Sequence, residues 1–262
     1  VVCAGTVGTG GAPLGAVLVV SANNFAGNAG ATVDAGAITA ASLTQNAGSG
    51  TSRLGAVTLT GAMSLTGSAI DLNGAITAPN GFSSTGTSFD NTGAAITTTN
   101  NNIVINHSAA VTIGSALSSG SGIVNIDSTG STINLNASIG VSTGAVTLDA
   151  AGLTTITAAG AITATGAAPV SFGATLTGTV ATAGNVTTAG GAIHYYRDVQ
   201  LTGNVTLDAT NAGGTPAGAD IQADGAITRD GTARNLTIRA GTAGNVVCAG
   251  TVGTGGAPLG AV

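Results

Sequence analysis

Acid–base or metal chemistry in this chain would have to come from ten Asp, five Arg, two His and two Cys, since Glu and Lys are absent. Glycoside hydrolysis needs two carboxyl groups within several ångströms of each other. If the chain stacks with a 19-residue step, as argued below, Asp71 and Asp90 come side by side. Two Asp with nearby carbonyls make a ligand-poor Ca2+ candidate, because that ion takes about six to eight oxygens. The plainer reading is two solvated turn residues. No GGxGxD calcium repeat is present. By the same step Asp34 and Arg53 stack as a surface ion pair, which contributes little when exposed.

One cluster combines aromatic and charged side chains: His194, Tyr195, Tyr196, Arg197 and Asp198. Tyr195, Tyr196 and Arg197 form a candidate contact patch for a surface glycan or a neighbouring fibre, since aromatics and Arg are enriched at contact sites. The competing reading is a plain strand with one Tyr in and one out. His107 stands alone in sequence, and no metal-ligand spacing links it to His194. The densest charge runs from Asp220 to Arg239 and is balanced in sign. No P-loop or CxxC occurs, and no catalytic residue, resident metal or cofactor is assigned.

Any site must be carried by short strands. A motif of Gly-Ala, then Val or Ile, then usually Thr begins at Gly36, Gly55, Gly74 and Gly93, 19 residues apart each time. It returns at Gly144, Gly160, Gly191 and Gly225, with a GNV variant at Gly184, Gly203 and Gly244. In GAVTLT the alternation turns Val57 and Leu59 inward and Thr58 and Thr60 outward. By the same logic Ile76, Val146, Leu148, Ile162, Val205 and Leu207 belong to the core. Strands of three to six residues need partners, and a unit returning at a fixed step supplies them by stacking. The expected fold is therefore all-β: a right-handed parallel β-helix, or β-solenoid, with coils of about 19 residues. Between Gly93 and Gly144 the phase slips, which reads as coils with insertions. An antiparallel sandwich is the runner-up but gives no reason for the 19-residue phase. Thr39, Thr58 and Thr77 share one outward position, the kind of array that can bind ice, although it should falter at Gly93.

A longer period encloses the short one. Residues 1–17, VVCAGTVGTGGAPLGAV, recur letter for letter as residues 246–262. Residues 1–262 thus read as one continuous solenoid segment: a 245-residue period plus a 17-residue overlap into the next. Neither end looks like a cap, so the natural molecule is expected to be a longer filament whose partners are further copies of itself. Thirteen coils of 19 would advance about 60 Å per period. Cys3 and Cys248 are then one position in successive periods, unable to pair with each other. The alternatives for this position are a small buried hydrophobe or a cross-link between neighbouring chains.

Composition removes several functions. The net charge of −5 without any Lys offers no basic stripe for nucleic acid. The apolar run from Ala12 to Val20 is too short for a transmembrane helix, and 2% aromatics cannot furnish the girdles of a membrane barrel. Forty-three per cent hydrophobic residues argue against disorder despite 44 Gly.

The runs GAVTLTGAMSLTGSAIDLNGAIT (Gly55 to Thr77) and GNVTLDATNAGGTPAGADIQADGAIT (Gly203 to Thr228) resemble the repeats of filamentous-haemagglutinin-type proteins. More narrowly, they resemble the giant "beta strand repeat" surface proteins of bacteria. The resemblance covers almost the whole chain. It implies a secreted, extracellular, cell-surface right-handed β-helix used as a fibre or adhesin. Two alternatives stand beside it: a polysaccharide-processing β-helix enzyme, and an ice- or surface-binding solenoid using the Thr face.

Overall fold

The computed structural model describes residues 2–3, 6–8, 12–23, 25–27, 37–253 and 259–260, with 2–3 and 25–27 as backbone. It is all-β, with no helix among the described residues, and winds as a parallel β-solenoid of about 10 turns. Each coil has three faces, with the strands Ile38–Gln45, Met63–Leu72 and Phe82–Asp90 each running over two of them and the later strands confined to one. On the first face Ile38, Val57, Ile76 and Ile96 lie in register, followed by Leu117, Ile139 and Ile162. The second face stacks Phe82, Ile103, Val124, Val146, Val170 and Ile193. The third stacks Phe89, Val111 and Ile133, then Thr154, Val180 and Val199.

Like thus sits on like, and the inward members of all three faces merge into one apolar core. Val57, Leu59, Ile76, Val146, Leu148, Ile162, Val205 and Leu207 are all buried, while the adjacent Thr58 is exposed and Thr147 and Thr206 are half-buried. The alternation therefore assigned the inward residues correctly. A bare strand of two or three residues has no stability of its own; here each strand away from the two ends is hydrogen-bonded to the coils below and above.

The coil length differs from the expected 19. That step holds from Ile38 to Val57 to Ile76, then grows to 21 from Ile96 to Leu117 and 24 from Val146 to Val170. It reaches 28 from Ile193 to Ile221. The turns take up the added residues. The largest insertion, between Asp208 and Ile221, rounds a loop where Asn211, Ala212, Gly213 and Gly218 have positive φ. The buried Asp208 carboxylate ties this loop, accepting from the Thr210 backbone N–H and hydroxyl and from the Ala212 N–H.

Two of the later 19-residue spacings consequently do not mark one turn. Ile227, after Gly225, lies on the third face, whereas Val246, after Gly244, lies on the second. Val186, after Gly184, pairs with Leu207 rather than with Val205. A slip of two residues leaves every side chain on its own side of the sheet, so alternation cannot reveal it. About ten turns at roughly 4.8 Å give an axial length near 50 Å, shorter than thirteen coils would.

Candidate functional site

The exposed side of the second face, where the chain turns through residues 193–198, carries the aromatic cluster. Ile193 and Tyr195 point into the core and His194 between them points out, as the strand period demands. Tyr195 lies flat on Phe172 of the coil below, with ring centroids 4.4 Å apart and planes 11° from parallel. Ala223 is its partner in the coil above. Tyr195 is thus a core residue and cannot belong to a contact patch, a correction to the expectation from sequence.

The Tyr195 hydroxyl is buried without a hydrogen-bond partner, and burial pushes its pKa up. An unpaired buried hydroxyl costs free energy that its removal recovers. Tyr195→Phe is therefore expected to leave stability unchanged or raise it by about 1–2 kcal/mol, read as the thermal midpoint. A loss above about 1 kcal/mol would mean that the hydroxyl does have a partner.

The exposed part of the patch is His194, Tyr196, Arg197 and Asp224. His194 stacks on Tyr196 with centroids 3.6 Å apart, and its Nε2 lies 3.0 Å from Asp224 Oδ2. Asp224 Oδ1 accepts from Gln222 Nε2 at 2.6 Å. Hydrogen bonds from Gln222, then from His194, outweigh desolvation and hold the Asp224 carboxyl below its ordinary range. Arg197 Nε donates to the Leu176 carbonyl at 2.8 Å, fixing the guanidinium against the previous coil's loop. Chemically this is a small amphipathic surface with ring edges, carboxylate acceptors and a cation. Sequence reasoning did not connect Asp224 and Gln222 with His194. The residue beside His194 on the next coil is Gln222, 28 positions on, so a 19-residue rule looked elsewhere.

Asp71 and Asp90 do lie side by side in register on the third face. Asp71 Oδ2 accepts from Arg53 Nε at 2.7 Å and its Oδ1 from Asn73 Nδ2 at 3.0 Å. Asp90 Oδ1 caps the Thr92 N–H at 2.7 Å. One of the two charges is already met by a guanidinium, and no group of three or more His, Cys, Asp or Glu that could hold a metal ion occurs among the described residues. The donor set therefore fits Ca2+ poorly. The pairing expected between Arg53 and Asp34 falls on Asp34, which lies outside the described residues, as does the side chain of Cys3.

A second acid pair was not legible in the sequence, because its members are 22 residues apart. Asp127 and Asp149 are in register on the second face. Asp149 is buried and saturated: Oδ2 takes the Thr175 N–H at 2.7 Å and the Thr175 hydroxyl at 2.5 Å, and Oδ1 takes the Leu176 N–H at 2.9 Å. It anchors the loop that lengthens this coil. Burial raises the Asp127 pKa, a hydrogen bond from Asn125 lowers it, and the Asp149 charge raises it further. The other missed constellation lies inside the core. His107 Nε2 and Ser84 Oγ share a hydrogen bond at 2.9 Å, both side chains being sealed from solvent.

The Thr file runs further than expected. Thr39, Thr58 and Thr77 are in register and Thr97 continues them, one extra residue in the turn having shifted the spacing to 20. Ser118 and Gly140 then interrupt it. On this face the flanking Ile38 and Ala40, or Val57 and Leu59, are buried, and a second exposed Thr follows in only two of these coils, Thr60 and Thr99. A single file lacks the second dimension of a crystal surface.

These features define a parallel β-solenoid, consistent with β-helix repeat proteins. No known protein family, curated protein or solved structure matches the chain.

Proposed function

We propose that this chain is a non-catalytic structural segment of an extracellular, cell-surface bacterial fibre or adhesin, in which copies of the 245-residue unit follow one another along one β-solenoid. The observation that carries this reading is the recurrence of residues 1–17 as residues 246–262, set in a fold that grows by adding coils. In its first occurrence Val2 and Cys3 pair with Ala26 and Gly27 of the next coil. In its second, Val246, Val247 and Cys248 lie on Ile221, Gln222 and Ala223. The resemblance to filamentous-haemagglutinin-type repeats supports the surface location and the adhesive use. Its partners are other copies of the repeat, with glycans or neighbouring fibres meeting His194, Tyr196 and Arg197.

The experiment is electron microscopy of chains carrying one, two and three units joined through the shared 17-residue stretch. Unbranched rods are expected, longer by about 50 Å per unit. Compact particles whose axial length does not grow with unit number would overturn the proposal. So would polysaccharide turnover by the purified chain that is abolished by Asp127→Asn.

A further inference from the structure

The two copies of the 17-residue stretch do not occupy the same face of the solenoid. Val2 and Cys3 begin the column of the third face, which runs upward through Ala26, Arg53, Asp71 and Asp90. The same column continues through Thr112, Asn134, Thr155, Ala181, Gln200 and Thr228. That climb is ten full turns. From Thr228 the chain crosses the first face at Leu236–Arg239 and reaches Val246–Cys248 on the second. Val247, the counterpart of Val2, therefore lies ten and two-thirds turns above it.

A second marker agrees. Val7 bridges to Ile38 on the first face, whereas its counterpart Val252 bridges to Ile227 on the third. Both pairs of identical residues are displaced by the same fraction of a turn.

From this we infer that successive units in the fibre are rotated by one third of a revolution about its axis, an inference that rests on the fibre reading above. The joint needs no special chemistry. Phe25–Gly27 of a second unit would lie on Val246–Cys248 of the first, repeating the pairing Val2↔Ala26 and Cys3↔Gly27 already present within the chain. The rotation is tolerated because all three faces present the same inward alternation of Val, Ile, Leu and Ala, so a strand finds the same apolar floor on any of them. Val246, Val247 and Cys248 are exposed and, among the described residues, no further strand pairs above them; the next unit covers them.

The consequence is functional. An integral number of turns would place every His194–Tyr196–Asp224 patch along one side of the fibre. A two-thirds remainder distributes the patches over three rows and restores the first row only after three units, about 150 Å on. Such a fibre presents the patch to all sides rather than lying on a surface by one flank.

The test is a chain of three units with a biotin-acceptor peptide inserted between Gly213 and Gly214 of each, an exposed turn tip, labelled with streptavidin and imaged by cryo-electron microscopy. Labels stepping by a third of a revolution, about 50 Å apart along the axis, are expected. Labels in one straight row would overturn the rotation and leave the fibre intact; absence of a rod would overturn both. A label-free measurement guards against an insertion that disturbs folding. Diffraction from longer unlabelled arrays should show layer lines at orders of about 150 Å, with meridional intensity first at about 50 Å. Layer lines at orders of 50 Å alone would overturn the rotation.

Discussion

Replacing Phe172 by alanine is expected to destabilise the chain by about 3–5 kcal/mol. Phe172 has no exposed surface, sits on Leu148 of the coil below and carries the Tyr195 ring above it at 4.4 Å. A solenoid has no second layer to close over the gap. The void opens between two coils, and the Tyr195 ring loses the face it lies on. Urea unfolding followed by tyrosine emission reports both effects, since the chain has no Trp and Tyr195 is one of only two Tyr. Phe172→Leu, which keeps most of the volume, should cost less than about 1.5 kcal/mol. Equal costs for the two variants would mean that loss of the aromatic stack, which both share, carries the whole effect and the cavity adds nothing.

Acidification is expected to weaken the fold between about pH 6.5 and pH 4 through one residue. His107 is wholly buried, its Nδ1 has no partner, and its neighbours are the Ser84 hydroxyl and the Phe89 ring at 5.5 Å. Burial lowers its pKa from 6.5 to about 4. In that window the unfolded chain binds a proton at this position and the folded chain does not, so stability rises with pH. The contribution is fully present above pH 6.5 and is lost as pH falls through the folded value, amounting to about 3 kcal/mol. His107→Gln removes the titrating group, and its unfolding free energy should be flatter than that of the parent between pH 6.5 and 4. Parallel pH profiles for parent and variant would show that the imidazole is already charged in the core.

What the sequence determined by itself was the inside and outside of each strand. A strand's side chains alternate regardless of what it pairs with, so Val57, Leu148 and Val205 could be placed in the core before any partner was known. Repetition of short apolar strands with Gly-rich turns also implied stacking, hence an all-β solenoid. Tertiary structure alone decided how many residues close each turn. Closure depends on turns whose length is unconstrained by alternation, and a slip of two residues leaves the inward pattern unchanged. For that reason the 19-residue step failed where Asp149 and Asp208 hold longer loops, and the axial length was overestimated. The site followed the same division. Alternation counted from the inward Ile193 assigns Tyr195 to the core, but only the structure showed Phe172 in the coil below as the face on which its ring lies. The meeting of His194 with Asp224 came from a coil long enough to bring residues 30 apart to within 3.0 Å.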